Sequence, residues 1–211
     1  MRHFLAPYLW ILAILGASAV AIAQTEFSAE VVHHKGSGSV SDARLYFGKD
    51  KLRIESQNGS REDHGIGIMN MATHSFTVIL PERHMYMELP SQMTGQRVLY
   101  DFFQTGNVES ACADWAKVPH HEGGMCRKVG HETVNGRDTI KYEGTNNKGE
   151  SGFFWIDPKL RFPVKWQDQK DPDDGGELRN IQEGPQAASL FEVPAGYQKF
   201  DMGSMMQRSP N

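Results

Sequence analysis

Apolar and polar residues alternate with a period of two along most of this chain, and that alternation restricts it to β-structure. In "KLRIES" the apolar residues Leu52 and Ile54 fall on one face, and "HSFTVIL", "HMYMEL" and "FPVKWQ" repeat the pattern. Successive side chains of a strand point to opposite faces, so each segment predicts a strand with one buried and one solvated face.

The segments are joined by short turns, which fixes how they pair. Connections such as Asn58-Gly59 and Asn135-Gly136 are too short for the crossover that parallel strands need, so neighbouring strands must be antiparallel. The pattern predicts about ten strands, at 27–35, 42–48, 51–57, 65–71, 74–80, 84–89, 125–134, 137–145, 150–156 and 162–168. One more strand is predicted near 176–183.

Two segments depart from the period of two and predict helices. The stretch after Pro90 begins with Ser91, a suitable cap, and carries apolar residues at helical spacing over 91–104. The second, "PQAASLFEVP", is shorter and starts with Pro185, which suits a first helical position. We therefore predict a mainly β fold: a strongly curved antiparallel sheet, or half-barrel, with one or two short helices plugging its concave face.

The two ends of the chain fall outside this domain. Residues 1–23 combine Arg2, a short apolar run and the triplet Ala21-Ile22-Ala23, which is the pattern of a signal peptide cleaved between Ala23 and Gln24. We expect an exported protein with one domain over 24–203, a flexible tail over 204–211 and no stable membrane insertion after cleavage.

Charge and cysteine content narrow the class of protein further. Without Arg2 the mature chain has 21 Lys and Arg against 26 Asp and Glu, a net charge of −5, and no basic block that would indicate nucleic acid.

The two cysteines, Cys112 and Cys126, are expected to form a disulfide that is worth about 3 kcal/mol by the chain-entropy argument. A redox or metal-binding pair is the alternative.

The stretch "GFFWIDPKLRFPVKWQ" is apolar on both faces of its first strand. Phe153 and Trp155 point one way, whereas Phe154 and Ile156 point the other. The second side must therefore be covered by a helix, for which 91–104 is the candidate, or by a ligand.

The same stretch resembles the strand–turn–strand of periplasmic proteins of the lipoprotein-carrier-like (LolA/LolB-like) superfamily. The closing "FEVPAGYQKFD" looks like the end of exported members of unassigned function; the residues that carry this likeness are Phe191, Pro194, Gly196, Tyr197 and Asp201. The resemblance implies a periplasmic location and a half-open barrel with an apolar concave face. Its members include lipoprotein carriers, an outer-membrane lipoprotein receptor and a stress-sensing regulator, and no functional residue is transferred from them.

The expected function is therefore that of a carrier for a hydrophobic small molecule or an acyl chain. The candidate wall consists of Phe76, Val78, Met85, Met87, Phe153, Trp155, Val164 and Trp166, with Leu99, Phe102 and Phe103 as a movable lid. Flexible, polarizable methionines suit a surface that accepts varied chains, although plain core packing explains them equally well.

Two other functions remain open at this stage. One is a protein-interaction or envelope-stress-sensing module, in which the concave face is only core and an envelope protein is the partner. The other is a metal-dependent enzyme built on His120 and His121. The chain lacks the H-E-x-x-H and G-x-S-x-G motifs, so we expect no enzyme, no catalytic residue, no metal and no cofactor.

Overall fold

The computed structural model describes residues 24–35, 38–57, 64–90, 107–117 and 121–200, and twelve strands in these ranges form one sheet. The strands are β1 (Phe27–Lys35), β2 (Gly38–Gly48), β3 (Lys51–Ser56), β4 (Ile66–Asn70), β5 (Ser75–Leu80), β6 (Met85–Pro90), β7 (Met125–Val134), β8 (Arg137–Thr145), β9 (Ser151–Asp157), β10 (Phe162–Asp168), β11 (Gly175–Glu183) and β12 (Gln198–Lys199). One α-helix, α1 (Ala111–Trp115), and three 3-10 turns (Pro81–Arg83, Val108–Ser110 and Ala188–Phe191) accompany them.

The sheet consists of two antiparallel meanders that meet at its middle. Strands β1 to β6 lie side by side in chain order, as do β7 to β11, and β1 pairs antiparallel with β11 to join the two sets. The order is β12-β6-β5-β4-β3-β2-β1-β11-β10-β9-β8-β7, so β7 and β12 are the two edges and the sheet is not closed. The predicted mainly β, antiparallel fold is confirmed.

The predicted strands are all present, with small shifts at their ends. Strand β2 begins at Gly38 rather than at 42, because Gly38 already pairs with Lys35 of β1. Strands β5 and β6 begin one residue late, since His74 and His84 hold the left-handed turn conformation (φ 52° and 48°). The sequence pattern does not predict β12, which pairs with β6 in the one parallel contact of the described sheet.

The cross-strand register carries one apolar face through both meanders. Leu52 pairs with Met69, and Met69 pairs with Phe76. Phe27, Phe47 and Phe162 stand at the centre of this face, with ring centroids 5.2 to 5.7 Å apart. These contacts place the main core on the concave side of the sheet.

The opposite face of β2–β6 is covered by the C-terminal segment. Phe191 is buried against Ile68 and Ile79, and its ring occupies the space that a side chain at Gly48 would fill. Arg53 Nη1 donates a hydrogen bond of 2.6 Å to the Leu190 carbonyl. The aromatic closing motif therefore seals the convex face, and its short 3-10 turn does not plug the concave one.

The double-faced strand β9 is covered on its second side by a helix, as predicted, but by a different one. Helix α1 buries Ala111 and Trp115 against Tyr142, Phe154 and Ile156. The candidate segment 91–104 lies outside the described residues. Phe154 pairs with Trp166, and Trp166 pairs with Gly176, which in turn pairs with His33 of β1. Directly paired residues share a face of the sheet, so the helix that packs on Phe154 lies on the concave side.

A polar seam of ion pairs joins the start of β8, the end of β9 and the β9–β10 turn to the end of β11. Arg137 forms ion pairs with Asp157 and Glu183, and Lys159 binds Glu183 as well. The hydrogen bonds from Lys159 and Arg137 hold the pKa of Glu183 below its usual value, against a smaller raising effect of burial. The ionised form of Glu183 is thus favoured by folding.

We predict that Phe191→Ala lowers the free energy of unfolding by about 3 kcal/mol, because it empties a buried aromatic site over Gly48. Urea unfolding followed by far-UV circular dichroism measures the change. Leu190→Ala, a neighbouring half-buried position, is the control and should cost about 1 kcal/mol. Equal effects of the two variants would show that Phe191 is not the anchor.

The seam predicts an acid-dependent loss of stability. A carboxylate whose folded pKa is depressed stabilises the fold above its unfolded pKa of about 4.3, and this contribution disappears as the pH falls through the folded value. Urea midpoints measured from pH 6 to pH 2.5 should therefore fall less steeply for Glu183→Gln than for the wild type. Parallel curves would contradict the assignment.

Candidate ligand-binding cavity

A cavity of about 980 Å³ opens on the concave face between β1–β3 and β8–β10. Its size lies at the upper end of typical ligand pockets. The apolar part of the lining is formed by Val31, Ala43, Leu45, Leu52, Ile54, Trp115, Phe153, Phe154, Phe162, Pro163 and Trp166. One wall therefore comes from each meander, so the β1–β11 junction lies at the base of the cavity.

The wall from β1–β3 keeps apolar surface uncovered. Leu45 and Leu52 are buried, whereas Ile54, which pairs with Leu45 across the strands, is 39 % exposed and lines the cavity. Ala43 is half-buried beside them. An exposed isoleucine inside a concavity is a surface that a hydrophobic ligand would remove from water.

Trp166 crosses the junction of the two walls because glycine leaves space for it. A Cβ on Gly176 would come within 2.3 Å of the indole, and the ring of His33 meets that indole edge-on at 5.5 Å. Any larger residue at 176 would displace Trp166 from the cavity wall. The glycine pair 175–176 thus shapes the binding surface as well as the turn before it.

Trp115 forms the side wall in the same way. A Cβ on Gly144 would lie 2.6 Å from its ring, and the ring of His121 stacks on it with centroids 4.0 Å apart. The disulfide Cys112–Cys126, with Cα atoms 5.4 Å apart, connects this helix to β7. The predicted disulfide is therefore present, and it holds the helix whose Trp115 lines the cavity.

The far end of the cavity is polar and is built from two hairpin turns. The turn between β8 and β9 contributes Asn146, Glu150 and Ser151, and the turn between β10 and β11 contributes Gln167, Asp168 and Asp174. These turns are ordered by their own side chains. Asn146 Oδ1 accepts hydrogen bonds from the backbone of Lys148 and Glu150, and Asp168 Oδ1 accepts from Lys170 and Asp171.

The structure divides the predicted wall. Phe153 and Trp166 line the cavity, whereas Trp155 and Val164 are buried. A β-bulge between Pro163 and Lys165 makes Trp166 pair with Phe154 and places Lys165 opposite Trp155. The ammonium groups of Lys141 and Lys165 lie 4.7 and 4.6 Å from the centre of the Trp155 ring. Trp155 is therefore part of the main core, against which Trp166 packs, and does not line the cavity.

The remaining predicted residues lie away from the cavity or outside the described ranges. Val78 pairs with Met87, and Phe76 and Met85 share their face, so these four extend the concave surface onto β5 and β6 without lining the cavity. Leu99, Phe102 and Phe103, the predicted lid, lie outside the described residues. Their role as a lid is a prediction.

Sequence reasoning missed most of the wall from β1–β3. The period of two places Leu52 and Ile54 on one face of a strand, but nothing in that period distinguishes a cavity from a core. The signal that was available is the small residue Ala43 opposite Ser56, which leaves the wall shallow. Likewise, Asn107 accepts a hydrogen bond from the backbone of Glu109 and so marks the turn that leads into α1.

The described residues hold no candidate metal centre, because no three His, Cys, Asp or Glu side chains among them converge in a way that could hold an ion. His120 lies outside the described ranges, and His121 is stacked on Trp115.

None of the described helices has the length and apolar character needed to cross a bilayer.

No protein-family model matches the chain, and no curated protein shows significant sequence similarity to it. Among solved structures, an uncharacterized conserved protein from Thermus thermophilus matches with 12 % identity and a TM-score of 0.53, over 84 % of this chain and 90 % of that chain. The MucA/MucB complex of Pseudomonas aeruginosa matches with 12 % identity and a TM-score of 0.47, over 82 % of this chain and 57 % of the other.

A LolA superfamily protein from Nitrosomonas europaea also matches, with 10 % identity and a TM-score of 0.34, over 80 % of this chain and 90 % of that chain. At these identities the likeness concerns the fold alone, and the lipoprotein-carrier-like resemblance stays a prediction. Nothing about a ligand or a partner of this chain follows from these matches.

We predict that reduction of Cys112–Cys126 frees Trp115 from its place over Gly144. The two cysteines are 14 residues apart in the sequence, so loss of this cross-link should lower the free energy of unfolding by about 3 kcal/mol. In the folded protein without denaturant, reduction of the disulfide should increase the quenching of tryptophan emission by acrylamide. The rise should be absent in Trp115→Phe, and a rise that persists in this variant would assign the change to another tryptophan.

Proposed function

We propose that this protein is an exported, non-enzymatic binding or carrier protein that holds a hydrophobic ligand in the cavity between β1–β3 and β8–β10. The observation that carries the proposal is an open cavity of about 980 Å³ whose walls are apolar and include the exposed side chain of Ile54. The apolar walls make burial and shape the main interactions with a hydrocarbon chain.

Burial of a hydrocarbon chain supplies enough free energy for useful affinity. Each methylene removed from water contributes about 0.8 kcal/mol, so a ligand that buries ten of them gains about 8 kcal/mol, which corresponds to micromolar binding before ordering costs. An open sheet suits reversible exchange, because one wall can contact the ligand while the other remains open to solvent.

Export and cleavage between Ala23 and Gln24 belong to the same proposal. The side-chain amide of Gln24 donates hydrogen bonds of 3.1 Å to the carbonyls of both Leu160 and Arg161. The chain is thus anchored to the domain from the first residue that cleavage would leave. This anchoring supports a mature domain that starts at residue 24.

A protein-interaction module is the second candidate, and a specific feature favours it. Strand β7 is a sheet edge, and its side chains Met125 and Val129 are 74 % and 44 % exposed. Extended segments of other proteins can pair with such an edge. In that case a hydrophobic probe would find no saturable site in the cavity.

We predict that Ile54→Asn weakens binding of a neutral naphthylamine fluorescent probe about fivefold, because it removes about 1 kcal/mol of apolar contact. Titration of the folded protein, followed by probe emission, gives the dissociation constant.

The matched control is Val129→Asn, a similarly exposed β-branched residue on an edge strand that does not line the cavity. It should leave the dissociation constant unchanged. Saturable binding that is insensitive to Ile54→Asn, or no saturable binding at all, would remove the support for a ligand cavity.

A further inference from the structure

The polarity of the cavity changes from one end to the other. The β1–β3 end presents Leu45, Leu52 and Ile54, whereas the hairpin-turn end presents amide, hydroxyl and carboxylate groups. A ligand that is apolar throughout would leave the polar end unsatisfied or hydrated. The lining therefore matches an amphiphile with its tail on β1–β3 and its head group at the two turns.

The charged groups at the polar end are of one sign. Glu150, Asp168 and Asp174 line the cavity, and among the described lining residues there is no Lys or Arg. The same two turns contain Asp171 and Asp173 and, on the cationic side, Lys148 and Lys170, so five carboxylates stand against two ammonium groups. The polar end is thus net acidic even when the neighbouring lysines are counted.

We infer that the ligand of this cavity is an amphiphile whose head group carries an amine, and that anionic amphiphiles such as free fatty acids are discriminated against. The inference rests on the proposed function, since it assigns the head group of the ligand that the cavity holds. Carboxylates attract an ammonium group and repel a second carboxylate, and repulsion of the wrong ligand is an effective source of specificity.

The three cavity acids Glu150, Asp168 and Asp174 differ in the hydrogen bonds that their side chains accept. Asp168 accepts two backbone hydrogen bonds and so holds its turn together. Glu150 accepts one hydrogen bond of 2.6 Å from the Asn146 side chain, which a glutamine oxygen can also accept. Glu150→Gln combined with Asp174→Asn therefore removes two charges while keeping the turn that Asp168 orders.

The experiment compares three ligands with the same tail: dodecylamine, dodecanol and dodecanoate. Each displaces the neutral naphthylamine probe from the full chain at pH 7 and low ionic strength, below micelle-forming concentrations. Dodecylammonium should bind more tightly than dodecanol, and dodecanoate should bind most weakly. High salt should reduce the differences, because the carboxylates are solvent-exposed.

In the Glu150→Gln/Asp174→Asn variant, the affinity for dodecylammonium should fall about fivefold while that for dodecanol stays the same. The matched control is Asp173→Asn, which removes a carboxylate of the same turn that does not line the cavity. It should change none of the three affinities.

The possible outcomes separate the two proposals. If the probe and dodecanol bind but dodecanoate competes as well as dodecylammonium, the head-group inference is overturned and the proposed function stands. An unchanged preference in the double variant overturns the inference as well. If neither the probe nor dodecanol binds the wild type, the proposed function fails with it.

Discussion

The antiparallel pairing of β1 with β11 is the contact on which the rest of the structure depends. Each meander could form from local hairpins alone, but only this pairing, between residues about 150 positions apart, brings the two into one sheet. It sets Val31 beside Leu178 and His33 beside Gly176, and so places the wall from β1–β3 against the wall from β8–β10. Long-range pairing of this kind is slow to form, because the closing chain loses entropy before the contacts are made.

Once β1 and β11 are paired, glycines in the sheet determine where aromatic side chains can pack against its two faces. Gly176 and Gly144 leave room for the indoles of Trp166 and Trp115, and both of these indoles line the cavity. Gly48 does the same for Phe191 on the convex face, where the C-terminal segment completes the seal. Space left by a glycine thus helps to close the convex face and to shape the cavity on the concave face, and among the described residues the segment that covers β2–β6 lies on the convex face.

The strand pattern was predictable because a half-buried strand must alternate, and the short turns allowed only antiparallel neighbours. The site was less predictable, because its walls depend on register. One extra residue in β10, between Pro163 and Lys165, makes Trp166 pair with Phe154 and places Lys165 opposite the buried Trp155. No period in the sequence indicates such a bulge. Strand β12 has two residues, too few for any period, and α1 is a five-residue helix within a Gly- and Pro-containing loop.

The polar end of the cavity follows from the same topology. Hairpin turns need Asn, Asp and Gly for their own backbone geometry, so acidic residues collect wherever two turns meet. Here the turns that follow β8 and β10 open into the cavity, and residues such as Glu150 and Asp174 face it in addition to the turn-forming Asn146 and Asp168. A sheet whose apolar face ends at such turns presents a tail-binding surface and a charged rim together. In the proposed selectivity for a head group, turn formation supplies one of the cavity carboxylates, Asp168, whereas Glu150 and Asp174 add charge that the turn ordered by Asp168 does not require.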